Sequence, residues 1–108
     1  MKIKIANKSW QQGDVNGRLL DSMPAGEQKI IARKKIVVAH GEGGHSHIVE
    51  DDEAELIEIG GRMLLNLAKQ TTIKHDEHKP ITLTPGIWEI GRVQEYDWFS
   101  KMKRQVVD

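Results

Sequence analysis

Ala54-Glu55-Leu56-Ile57-Glu58-Ile59-Gly60-Gly61-Arg62-Met63-Leu64-Leu65-Asn66-Leu67 is the stretch that decides the fold class. Two short apolar segments, 54–59 and 62–67, flank a Gly-Gly pair. Glu, Leu, Met and Ala would also suit a helix through 53–69. Two adjacent glycines in the middle of that helix would cost about 2 kcal/mol relative to alanine. Between apolar segments the same pair suits a two-residue hairpin turn, whose backbone needs positive φ at both central positions. The stretch therefore reads as a β-hairpin.

The same reading extends in both directions. Upstream, Asp51-Asp52-Glu53 reads as a charged turn and 45–50 as a strand. Residues 27–39 form a β-branched stretch centred on Ile30-Ile31 and Ile36-Val37-Val38, and the basic residues 33–35 make it two strands or one bulged strand. Pro24-Ala25-Gly26 marks a turn, 13–17 is turn-rich and leads into a short segment 18–20, and 2–5 alternates as a first strand. Downstream, Thr71-Thr72-Ile73 is β-branched, 80–84 alternates and ends at Pro85-Gly86, and 87–96 is a further strand. Asp97 caps a short C-terminal helix over 97–108, with Trp98, Met102 and Val106 on one face. The expectation is a mainly β, single domain over 1–108, a small sandwich or barrel of about six to eight strands with a short C-terminal helix.

The chain has 108 residues, with 16 Lys plus Arg against 16 Asp plus Glu. A formal net charge of zero gives no global attraction to nucleic acid or anionic membrane. Aromatic residues make up only 5%, so the core must be built mainly from Ile, Val, Leu and Met. The absence of cysteine excludes disulfides, thiolate metal sites and a thiol nucleophile. No apolar run approaches the roughly 18 residues of a membrane-spanning helix. Residues 1–5 alternate rather than forming a signal-peptide core. The expected location is the cytoplasm of a bacterium or a phage-infected cell.

All five histidines fall in two clusters. One is His40-Gly41-Glu42-Gly43-Gly44-His45-Ser46-His47, the other His75-Asp76-Glu77-His78. Neutral imidazole is a common metal ligand and the usual proton shuttle near neutral pH. On a strand His45 and His47 point to one face, a common two-ligand half-site for Zn, Fe or Mn. A third ligand would come from His75 or His78. Those two share a face only in a helical turn, and Pro80 disfavours helical geometry at Lys79, which favours an extended segment or tight turn. The expected metal ligands are therefore His45, His47, His75 and His78, with His40 in reserve. Glu42 or Glu77 would act as general base on a metal-bound water. Gly41-Glu42-Gly43-Gly44 lacks the Gly-Lys-Ser/Thr end of a P-loop and precedes a strand, not a helix. Arg92, Gln94 and Tyr96 alternate along the last strand and, with Asp14, could line a substrate cleft.

Gly44-His45-Ser46-His47 resembles the first metal motif of the cupins, in which a carboxylate follows the His-x-His pair. The cupin spacing lands here on Asp51 or Asp52, and Pro85-Gly86 is not followed by the second-motif histidine. A wider set resembles a family of small uncharacterised bacterial and phage proteins. It comprises Gln12-Gly13-Asp14-Val15, Gly44-His45-Ser46-His47, His75-x-Glu77-His78-x-Pro80-Ile81, Pro85-Gly86 and Gln94-Glu95-Tyr96. That resemblance implies no reaction, but it implies that Asp14, the histidines and Gln94-Glu95-Tyr96 belong to a shared core.

Two functions follow as expectations. One is a metal-binding β domain, working as a metal-dependent hydrolase on a small molecule. The other is a non-enzymatic interaction or assembly protein of phage or mobile-element type. In that case the hairpin and the Trp98 tail would meet a protein partner or a second copy.

Overall fold

A computed structural model describes residues 4–40 and 45–92. Nine strands follow one another: β1 (Lys4–Ala6), β2 (Ser9–Gln12), β3 (Val15–Leu20), β4 (Lys29–His40), β5 (Ser46–Ile59), β6 (Arg62–Leu67), β7 (Thr71–Lys74), β8 (Ile81–Leu83) and β9 (Gly86–Arg92). No helix occurs among the described residues, and so none there is long and apolar enough to cross a membrane. The C-terminal helix expected over 97–108 lies outside them.

The Gly-Gly hairpin forms as read. Ile59 pairs with Arg62, and Gly60 and Gly61 take φ of 56° and 81°. Positive φ at both central residues is the type I′ pattern, whose twist matches that of the flanking strands. Leu56, Ile57, Ile59, Leu64, Leu65 and Leu67 of this hairpin are all buried.

Two expectations need correction. Asp51-Asp52-Glu53 does not separate two strands. It lies inside the 14-residue β5, where the pairing jumps from Arg33–Glu55 to Lys34–Asp51 and leaves 52–54 outside the ladder. A bulge of this kind bends a strand without ending it, and the Asp51 carboxylate accepts the Glu53 N–H at 2.8 Å in place of a ladder bond. Residues 29–40 are likewise one bulged strand, with register shifts at three places and Lys34 in the left-handed region at φ 68°. The other correction is β2, which sequence reasoning missed. Trp10 and Gln12 face inward and Ser9 and Gln11 outward, so the alternation exists, but two of its four residues are glutamines.

The strand order is β1-β8-β7-β5-β6-β9-β3-β2. β4 runs along one edge of β5. The other edge of β5 is divided, with β7 on its first part and β6 on its last. β1 and β2, the two ends of the path, are separated in the chain only by Asn7-Lys8. Two backbone bonds stitch this junction, Leu19 N–H to Lys8 O at 2.9 Å and Thr84 N–H to Ala6 O at 3.1 Å. The result is a nearly closed, barrel-like sheet rather than an open one. Its interior is filled by Val15, Ile36, Val49, Leu65, Ile73, Leu83 and Trp88, all fully buried. Each such side chain contributes about 1.5–3 kcal/mol of hydrophobic stabilisation.

Candidate functional site

The start of β5 and the loop after β7 place the two histidine clusters together. β5 pairs with β7 through Ile48–Lys74 and Val49–Ile73, so the residues preceding Ile48 stand beside those following Lys74. His47 shares the inward parity of Val49 and is buried to 1% exposure. His45 has the same parity but sits just before the strand and remains half-buried. His75 is the hub. Its ring centroid lies 4.4 Å from that of His47, 4.6 Å from His78 and 5.8 Å from His45. Of the two alternatives, extended or tightly turned, the segment 75–80 takes the bent one, and His75 and His78 lie in one cluster.

His47 is held by Gln12, a residue that entered the sequence reading as part of the Gln12-Gly13-Asp14-Val15 motif but not as a site residue. Gln12, at the inward-facing end of β2 and 2% exposed, places its Oε1 2.8 Å from His47 Nδ1. The Gln12 amide donates from Nε2 to the carbonyls of Ile73 at 3.2 Å and Lys79 at 2.9 Å. Carbonyls only accept, so the amide cannot be turned around, and its oxygen must face His47. His47 Nδ1 is then the donor. In the neutral ring the lone pair lies on Nε2, which is buried and has no hydrogen-bond partner among the described residues. Burial, with the neighbouring His75 next, holds His47 below the ordinary histidine value, favouring that neutral ring. The nearest charge is the Asp14 carboxylate, with Oδ1 3.8 Å from Nε2. The available signal for Gln12 was an amide at an inward-facing strand position, where only a partnered polar group is tolerated.

The other histidines differ. The Glu77 N–H donates to His75 Nδ1 at 3.0 Å, which occupies that lone pair and leaves the proton of a neutral ring on Nε2. His45 lies between two carboxylates, with Nδ1 3.0 Å from Asp76 and Nε2 3.5 Å from Glu77. The Asp76 hydrogen bond and the Glu77 charge raise His45 above its ordinary value, and the same bond lowers Asp76. His78 packs against Gly13, whose φ is +62°, so closely that a Cβ there would lie 2.7 Å from His78 Nε2. Among the described residues no three His, Asp or Glu side chains stand ready-grouped around a common point. The cluster is a convergence of imidazoles, not a finished cage.

At its margin, Arg92 donates from Nη1 to Asp14 at 2.8 Å and from Nη2 to the carbonyl of His40. This joins the end of β9 to the β2–β3 turn and to the last residue of β4. Asp14 and Arg92 therefore stand at the margin of the histidine cluster. Glu42, Gln94 and Tyr96 lie outside the described residues. The cupin-like spacing fails in space, because Asp51 accepts from Thr71 Oγ1 at 2.6 Å and pairs with Lys69 at 3.7 Å, and with no histidine.

A family model matches residues 11–93, the segment that carries Gln12, Asp14, all five histidines and Arg92. The chain belongs to the family Domain of unknown function (DUF8820). Neither a curated protein nor a solved structure matches it. The DUF8820 segment includes both histidine clusters and the glutamine that connects them. It agrees with the resemblance to an uncharacterised family.

Proposed function

We propose that this DUF8820 chain is a divalent-metal-binding β domain centred on its clustered histidines, and that it works as a metal-dependent hydrolase. The observation that carries the reading is His47 Nε2, a buried lone-pair nitrogen with no hydrogen-bond partner among the described residues, on a ring packed against the His75 imidazole. A buried acceptor left bare costs about 1–3 kcal/mol. An ion would remove that cost. Two imidazoles whose nitrogens each lie about 2 Å from one tetrahedral ion have ring centroids roughly 5 Å apart. The observed separations of the His75 ring from those of His47, His78 and His45, 4.4, 4.6 and 5.8 Å, bracket that value.

His47 and His78 are the first ligands on this reading. His75 joins by giving up the Glu77 N–H bond, and His45 by leaving Asp76. A nitrogen-rich, thiolate-free set suits Zn, Fe or Mn better than Ca or Mg. A bound ion of this kind supplies a water acidic enough to act as hydroxide near neutral pH. Glu77 or Glu42 would take the proton. Asp14 and Arg92 at the rim orient a polar small-molecule substrate.

Elemental analysis of untagged protein after incubation with Zn, Fe or Mn tests the metal. About one ion per chain is expected, with loss in His47→Ala/His78→Ala protein that retains its circular dichroism. A wild-type protein that stays substoichiometric in all three metals overturns the reading. A hydrolase further requires that Glu77→Gln or Glu42→Gln retain the metal and lose turnover of a chromogenic ester or phosphodiester. Unchanged turnover in both would make any bound metal structural.

A further inference from the structure

The geometry points to Gln12 as the positioning residue that joins the two histidine clusters, fixing which nitrogen of His47 is open and clamping the loop that carries His75 and His78. Three hydrogen bonds from one buried amide define the role. The acceptor end takes the His47 Nδ1–H at 2.8 Å. The donor end holds the carbonyls of Ile73 and Lys79, one on each side of the 75–78 segment, at 3.2 and 2.9 Å. These three groups belong to β5, to β7 and to the approach to β8, and Gln12 itself lies on β2, at the far end of the strand order. A single side chain thus sets the spacing of both clusters across the closure of the sheet.

Only a carboxamide does both jobs, and asparagine is one methylene shorter. The amide must present an acceptor to an imidazole N–H and two donors to carbonyls, which uses its full donor count. Glutamate keeps the acceptor and loses the donors. Leucine keeps the volume and loses both. Histidine ligands in metal sites commonly donate their second nitrogen to such a fixed acceptor, which sets the tautomer and the ring direction. Released from Gln12, His47 is free to move its proton to Nε2 and close its own open lone pair.

The decisive measurement is made on metal-free protein. Nitrogen-15 NMR of the histidine side chains is expected to show His47 protonated at Nδ1 with an unprotonated Nε2. Gln12→Leu is expected to shift the tautomer toward Nε2–H, and Gln12→Glu to restore the Nδ1–H form. A wild-type ring protonated at Nε2 overturns the inference, whether or not either variant folds. So does an unchanged tautomer in folded Gln12→Leu. Zn affinity by competition titration is the second arm, and only this arm rests on the metal-binding reading. Gln12→Leu is expected to lose 10- to 100-fold, the usual effect of removing such a partner. Gln12→Glu is expected to lose affinity with its tautomer intact, since the loop clamp alone is broken, and wild-type affinity in that variant overturns the clamp. A Zn-silent wild type with the Nδ1–H tautomer would remove the metal function and leave the positioning role standing.

Discussion

Gly13 carries φ +62°, and a Cβ added there would meet His78 Nε2 at 2.7 Å and Cδ2 at 2.9 Å. Two effects add in Gly13→Ala. A left-handed backbone costs a residue with a Cβ about 1–2 kcal/mol, and the His78 ring must move away. A denaturant melt should show a loss of about 2 kcal/mol or more, and on the proposed metal-binding reading the displaced ring should weaken ion affinity in the same variant. The histidines themselves separate by titration. His45, between two carboxylates, is expected to titrate above the ordinary histidine value in a proton NMR titration, and buried His47 below it. The signs on stability are opposite. A raised His45 stabilises at pH below about 6.5 and loses that contribution as pH rises through its folded value. A lowered His47 makes the fold less stable as pH falls below about 6.5, because the unfolded chain takes up the proton first. Coincident titration of the two would contradict the geometry. At this scale the sequence was informative about His45 and His47 lying on one side, because strand parity is local. It did not reveal which would be buried, since that depends on β2 and the 75–80 loop closing over one of them.

At the scale of elements, β9 is tied to both neighbours by one carboxylate. Glu89 accepts from Arg62 on β6 through two bonds of 2.9 Å and from Arg18 on β3 at 3.0 Å. The two guanidiniums, Arg62 foremost, hold Glu89 down to about 2. Its contribution is fully present above the unfolded carboxylate value near 4.5 and is lost as pH falls toward 2. After allowance for solvent screening, Glu89→Gln should cost about 1–2 kcal/mol at pH 7 and little at pH 2.5, read as the difference between urea midpoints at the two values. Gly60→Ala offers a contrast with Gly13→Ala, because nothing lies within 4 Å of a Cβ at Gly60 and only the φ of +56° penalises the change. It should cost about 1 kcal/mol and leave the site untouched. The hairpin was legible because two glycines between apolar segments have one good backbone solution. β5 was read as two strands because Asp-Asp-Glu is ordinary turn chemistry, and a bulge uses the same residues. β2 was hidden because its inward polar residue, Gln12, is there for its partners rather than for hydrophobic burial.

For the whole molecule, the sheet depends on pairings that are remote in sequence. β1 pairs in parallel with β8 through Lys4–Ile81 and Ala6–Leu83, and β3 pairs with β9 through Val15–Arg92 and Leu20–Ile87. Such contacts incur loop-closure entropy before they stabilise anything, so refolding should fall in the range of milliseconds to seconds. Stopped-flow fluorescence of the buried Trp10 and Trp88 would report it, and microsecond folding would contradict the topology. Mainly β architecture was legible from turn spacing, but the partner of each strand was not, because alternation says which face is apolar and nothing about what lies alongside. The site inherits the same limit, since its two halves meet through the β5–β7 pairing and the Gln12 bonds, both remote in sequence. One feature of this architecture bears on what happens when many copies are crowded together. Among the described residues β4 pairs only with β5; it is twelve residues long and exposes Ile30, Ile31 and Val37. A flat strand with those properties would template fibre growth. Its register breaks at three places, the longest unbroken run of pairs is 34–37, and Lys29, Arg33, Lys34 and Lys35 line it. An incoming chain finds no straight ladder to extend and a row of positive charge to desolvate, so the irregularity of β4 acts as a guard against amyloid-like stacking.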